Sequence, residues 1–171
     1  MRWLILLLFT LPSLVPAETL EGRVVWIIDG ATLVLLDANN LQHRVRLSGI
    51  ATPEPGQPFA KRATQNLARL AGNKPARLEW VKRDLWGGLI AKVWVHSLDT
   101  RCRDGNCPKT LDLGMSQLTQ GLAWHFKRYA HEQTEEDRER YSFAEFEARA
   151  KRVGLWSSSR TLSRQTPGRD F

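Results

Sequence analysis

Three strand-like runs separated only by turn residues constrain this chain more than any other feature. Arg23-Val24-Val25-Trp26-Ile27-Ile28 gives way at Asp29-Gly30 to Thr32-Leu33-Val34-Leu35-Leu36. Asp37-Ala38-Asn39-Asn40 turns the chain again, into Gln42-His43-Arg44-Val45-Arg46-Leu47, where polar and apolar residues alternate. Apolar and β-branched runs bounded by Gly, Asn and Asp predict short strands. Pro53-Glu54-Pro55-Gly56 fits neither strand nor helix interior, so it predicts a loop.

Helical periodicity begins after that loop. From Pro58 to Leu70, Phe59, Ala63, Leu67 and Leu70 fall on one apolar face. Two more strands are expected at Ala76 to Val81 and Leu89 to Val95, joined by Asp84-Leu85-Trp86-Gly87-Gly88. Leu111 to Gln120 predicts a short helix ending at Gly121. Gln133 to Val153 predicts a long one, with Thr134 as N-cap, Asp137 in its first turn and Gly154 at its end. Five short strands with one helix between the third and fourth is the connectivity of the OB-fold, a five-stranded Greek-key barrel, here with about three helices. Such barrels often carry oligonucleotides on a strand face, although a fold by itself does not give function. A hydrophobic content of 42% with 25% charged residues excludes disordered, collagen-like and disulfide-dense classes. The length suits one domain.

The ends read differently. Met1-Arg2, the apolar stretch from Trp3 to Leu11 and Val15-Pro16-Ala17 have the form of a secretory signal cleaved after residue 17. The apolar part is too short to span a bilayer. The expectation is an exported protein, periplasmic or secreted, with a domain over 18–156 and a loose tail over 157–171. No second apolar run predicts a transmembrane segment in the mature chain. Cys102 and Cys107 enclose the turn-forming Arg103-Asp104-Gly105-Asn106, and in an oxidising compartment they are expected to form a local disulfide. A metal pair would need two further ligands, and the segment offers no His.

The formal charge is +7, with eighteen Arg to seven Lys. Arginine's planar fork suits phosphate and carboxylate, which points to a polyanionic partner, while a basic surface that merely aids solubility is the plainer reading. His43, His96, His125 and His131 show no metal-ligand spacing. Glu132 to Arg140 alternates charge in the manner of a solvated helix face, with Glu136 and Arg140 at i,i+4.

Five segments together resemble the staphylococcal nuclease-like, or thermonuclease, family. They are Ile28-Asp29-Gly30-Ala31-Thr32-Leu33, Val45-Arg46-Leu47-Ser48-Gly49-Ile50-Ala51-Thr52-Pro53-Glu54, Asp84-Leu85-Trp86-Gly87-Gly88, Gly121-Leu122-Ala123-Trp124, and Ala144-Glu145-Phe146-Glu147-Ala148-Arg149 running to Gly154-Leu155-Trp156. The resemblance covers most of the chain after residue 17. It implies an OB-barrel with three helices and, in active members, Ca²⁺-dependent phosphodiester cleavage of DNA and RNA.

The departures fall on the chemistry. Active members carry Asp where this chain has Ala31 and Ala51, both direct calcium ligands, and Arg where it has Gly88. Arg46 matches the phosphate-holding arginine and Glu54 the proposed general base. Thr52 matches a position whose carbonyl reaches the metal, and Asp29 one in the outer shell. Calcium takes six to eight oxygens, so the expectation is no metal cofactor, with Ca²⁺ entering only if the site has been rebuilt. Lys92, at ~3.3 Å per strand residue, stands roughly 13 Å beyond Gly88, too far to replace the arginine. Arg46 and Glu54 also fit a structural ion pair.

Aromatics interleaved with cations suit single-stranded nucleic acid. Trp86, flanked by Lys82 and Arg83, and Trp124, Phe126 and Tyr129 stand where the family places residues against bound nucleotide. Trp124 and Trp156 fit the core equally well. Three functions follow. The first is binding of single-stranded DNA or RNA, or another polyanion, with little or no cleavage. The second is a slow or rebuilt nuclease, and the third an envelope protein-interaction module.

Overall fold

The structure, a computed structural model, describes residues 18–97 and 107–157. The expected leader, Cys102 of the expected bridge and the tail beyond Ser157 lie outside the described residues.

Five strands close a barrel: β1 (Glu18–Ile27), β2 (Thr32–Asp37), β3 (Gln42–Leu47), β5 (Pro75–Arg83) and β6 (Leu89–His96). They are hydrogen-bonded in the order β3-β2-β1-β5-β6, and β3 meets β6 in parallel through Val45↔Leu89, Arg46↔Ile90 and Leu47↔Ala91. The first strand runs five residues further back than its apolar run suggests. Glu18 to Arg23 pair with Trp80 to Pro75, so backbone pairing rather than apolar content sets its start. A short strand, β7 (Lys109–Asp112), takes the other half of the β6 edge, pairing with Trp94 to His96. Ile50–Ala51 (β4) and Trp124–His125 (β8) form a separate two-stranded ladder.

Alternation puts Val24, Leu33, Leu35, Val45, Leu47, Leu78, Val93 and Val95 inside the barrel, all at or near zero exposure. Helix α1 (Ala60–Ala71) covers one end with Ala63, Leu67 and Leu70, the face read from the sequence. Phe59 is not helical: it precedes the helix in a left-handed conformation. Helix α2 (Leu113–Thr119) starts later than expected because 109–112 is strand, and Asp112 caps it by accepting from the Met115 N–H. Helix α3 (Glu135–Ala150) begins on Thr134, which accepts from the Asp137 N–H. A second small core joins Trp124, Ala148, Leu155 and Trp156. No helix among the described residues is long and apolar enough to cross a membrane.

Candidate nucleic-acid interface

Alternation on β3 decides the first two residues of the site. Val45 and Leu47 enter the core, so Arg44 and Arg46 face outward into a cleft of about 290 Å³. The turn before β2 supplies Asp29 and Ala31. Asp29 Oδ1 accepts from the Ala31 N–H at 2.8 Å, and Leu47 N–H donates to the Ala31 carbonyl at 2.8 Å. The turn is thereby fixed to β3. A Cβ on Gly30 would come within 2.5 Å of the Ala63 methyl group, so helix α1 packs directly on that backbone. Gln117, wholly buried, donates through Nε2 to the carbonyls of Gly30 and Ala63, and its Oε1 accepts from Asn66.

Ala51, Thr52 and Glu54 line the same cleft from the loop after β4. Glu54 is exposed, and its backbone joins a turn in which its N–H donates to Gln57 Oε1. The hairpin between β5 and β6 closes the opposite wall. Asp84 Oδ1 accepts from the Trp86 and Gly88 N–H groups, and Arg83 Nη1 donates to the Gly87 carbonyl. Gly87 has φ +81°, a conformation glycine adopts without cost. This wound loop holds out Trp86 at 66% exposure.

The third wall is a 3-10 turn, Lys127–Glu132, following β8. Phe126 and Tyr129 lie against each other with ring centroids 5.0 Å apart and planes inclined at 45°. The Arg46 guanidinium and the Lys82 ammonium lie 5.7 and 5.6 Å from the Tyr129 centroid. Cations at this distance from an aromatic ring are attracted by its quadrupole.

Of the expected site residues, Asp29, Ala31, Arg46, Ala51, Thr52, Glu54, Lys82, Arg83, Trp86, Phe126 and Tyr129 all line this cleft. Trp124 does not. It is 7% exposed in the second core, with Ala51 packed against that cluster. Its side chain fills space behind the cleft wall and offers no ring to a ligand.

Two further readings are corrected by the geometry. The carboxylate beside Arg46 belongs to Glu132, not Glu54: Glu132 Oε2 is 3.9 Å from Arg46 Nη2, and Oε1 is 2.6 Å from Lys82 Nζ. The run from Glu132 to Arg140 is not wholly a solvated helix face, because Glu132 sits on the turn before α3 and points into the cleft. The sequence signal was present only as the gap between Glu132 and the Thr134 cap. Asp137 also turns inward, holding Lys92 at 2.5 Å beside Asp112. That leaves Lys92 committed far from Gly88. Glu136 and Arg140 do form the expected i,i+4 pair.

A family model described as staphylococcal nuclease homologue matches residues 44–158. The chain is 30% identical over 158 residues to an uncharacterized endonuclease of Haemophilus influenzae, covering 92% of this chain and 78% of that protein. It is 35% identical over 139 residues to protein ParB of Escherichia coli, covering 81% and 73%. It is 32% identical over 137 residues to a micrococcal nuclease of Shigella flexneri, covering 80% and 74%. The match runs from Arg44 in β3 through the Thr52–Glu54 loop, the β5–β6 hairpin, the 3-10 turn and α3, and on that evidence the chain belongs to the staphylococcal nuclease homologue family.

Proposed function

We propose that this domain holds single-stranded nucleic acid in the cleft and performs little or no calcium-dependent hydrolysis. The observation that carries the reading is the convergence of Arg46 and Lys82 over Tyr129, beside exposed Trp86. Two cations beside paired aromatic rings suit a phosphate flanked by bases. Arg44 and Arg83 extend the basic wall.

The donor set does not fit calcium. Residues 31 and 51 bring methyl groups, and one Asp29 oxygen already accepts from the Ala31 N–H. Among the described residues no three His, Cys, Asp or Glu side chains are grouped as a metal requires. The leader form of residues 1–17 supports action outside the cytoplasm.

Labelled single-stranded DNA, incubated with the purified protein in calcium or in chelator and scored for retention and degradation, tests the reading. Expected is equal retention in both buffers without digestion. Affinity should fall steeply with salt, with a slope reduced by about one in Arg46→Ala. Absence of salt-sensitive retention would overturn the reading in favour of a protein-interaction module.

A nuclease reading draws on two observations: relatives named endonuclease and micrococcal nuclease, and the presence of Arg46 and Glu54 in one cleft. It predicts calcium-stimulated digestion that Glu54→Ala abolishes.

A further inference from the structure

The position a phosphate would take between Arg46 and Lys82 already contains an anion. The Glu132 side chain is only 2% exposed, with Oε1 2.6 Å from Lys82 Nζ and Oε2 3.9 Å from Arg46 Nη2. Beyond these two cations, neither carboxylate oxygen has a hydrogen-bond partner among the described residues, despite being shielded from water. A buried carboxylate normally gains several aligned donors. This one has only the two cations, whose charge an incoming oxyanion can meet in its place.

The backbone around Glu132 is anchored. The neighbouring Gln133 Oε1 lies 3.0 Å from His125 Nε2, and a Cβ on Gly49 would collide with the Gln133 amide. Gln133 N–H donates to the Ala130 carbonyl. Exchange therefore requires a rotation of the Glu132 side chain and not a displacement of the turn.

Resting on the nucleic-acid reading above, we infer that Glu132 is a built-in competitor for the cleft's phosphate position. A backbone phosphodiester carries the same single negative charge as the carboxylate it displaces. Binding is then a near-even exchange at this position, and wild-type affinity is held down by the chain's own acid.

Glu132→Gln tests this, since it removes the charge and keeps the shape. Binding of a labelled oligo-dT and of inorganic pyrophosphate is measured for both proteins at low salt. The variant is expected to bind each about tenfold more tightly, with a salt slope for oligo-dT steeper by about one. Unchanged or weaker binding of both anions by a variant of native circular dichroism would overturn the proposal. If neither protein retains oligo-dT but the variant gains affinity for pyrophosphate, the nucleic-acid reading fails and the competitor role stands. Should the variant not fold, the wild-type protein carries the test through the ¹³C resonance of the Glu132 carboxyl. A shift on saturation with pyrophosphate is expected, and an unmoved resonance at saturation overturns the exchange.

Discussion

The side-chain amide of Gln117 donates to the backbone carbonyl of Gly30 at 2.6 Å, tying helix α2 to the turn that carries Asp29 and Ala31. Both groups are buried, and the same amide nitrogen also reaches the Ala63 carbonyl. One side chain therefore joins α1, α2 and the β1–β2 turn behind the cleft. Gln117→Leu keeps the volume roughly but strands the buried Gly30 carbonyl, at about 1–3 kcal/mol, and removes the acceptor of the Asn66 amide, while the Ala63 carbonyl keeps its partner within α1. The expected loss is about 2 kcal/mol, checked by urea unfolding at neutral pH, together with faster hydrogen exchange at the Ala31 amide.

Trp86 and Trp124 separate binding from stability. Trp86 stands out on its loop, so Trp86→Ala should change stability by less than about 0.5 kcal/mol. It should weaken oligonucleotide binding by about 1–3 kcal/mol, one stacked base. Trp124 lies in the second core, and Trp124→Ala should cost about 3–5 kcal/mol. Thermal melts and fluorescence anisotropy on both variants decide the assignment.

Restoring the carboxylates tests the donor argument. Ala31→Asp with Ala51→Asp should give a protein whose melting temperature rises with calcium and falls back in chelator, since a ligand of the native state stabilises by mass action. The parent should show no such shift. Gly88→Arg is less simple, because a Cβ there would stand 2.6 Å from Asp84 Oδ2. Asp84 is held by the Trp86 and Gly88 N–H groups. Moving it should cost about 1–2 kcal/mol, visible as a lowered urea midpoint.

The Asp112–Tyr141 pair sets a pH limit. The Tyr141 hydroxyl donates to both Asp112 oxygens, at 2.9 and 3.0 Å. Burial, with the Asp112 charge beside it, holds the Tyr141 hydroxyl well above 10. Burial also raises Asp112 above 3.8, against the pull of the Met115 N–H and Lys92. For a group raised on folding, the stabilisation is complete below the unfolded value and is lost as pH rises toward the folded one. Above pH 10 the unfolded tyrosine ionises while the native one stays protonated. Stability should then fall by about 1.4 kcal/mol per pH unit from this group. Urea midpoints between pH 9.5 and 11.5 should show the slope in the parent and a shallower one in Tyr141→Phe.

Strand and helix placement was legible where one element buries one face. Leu67 and Leu70, or Val45 and Leu47, announce themselves by spacing, because a periodic apolar face reports local burial. β7 and the β4–β8 ladder were not legible: each is two to four residues long and exists by pairing with a distant edge. Most of the cleft lining was legible from motif positions, and Trp124 was open to two readings until its burial was seen.

By itself the sequence determined which atoms residues 31, 51 and 88 can offer, since a methyl group or a hydrogen supplies no oxygen or cation in any fold. It likewise determined the strand and helix faces that build the barrel. Only the tertiary structure decided that Glu132 meets Lys82 and Arg46, and that Trp86 faces solvent while Trp124 does not. The reason is physical: periodicity records how each segment divides between core and water. The pairing of charges from β3, β5 and the turn before α3 depends on how the barrel closes and where that turn is anchored.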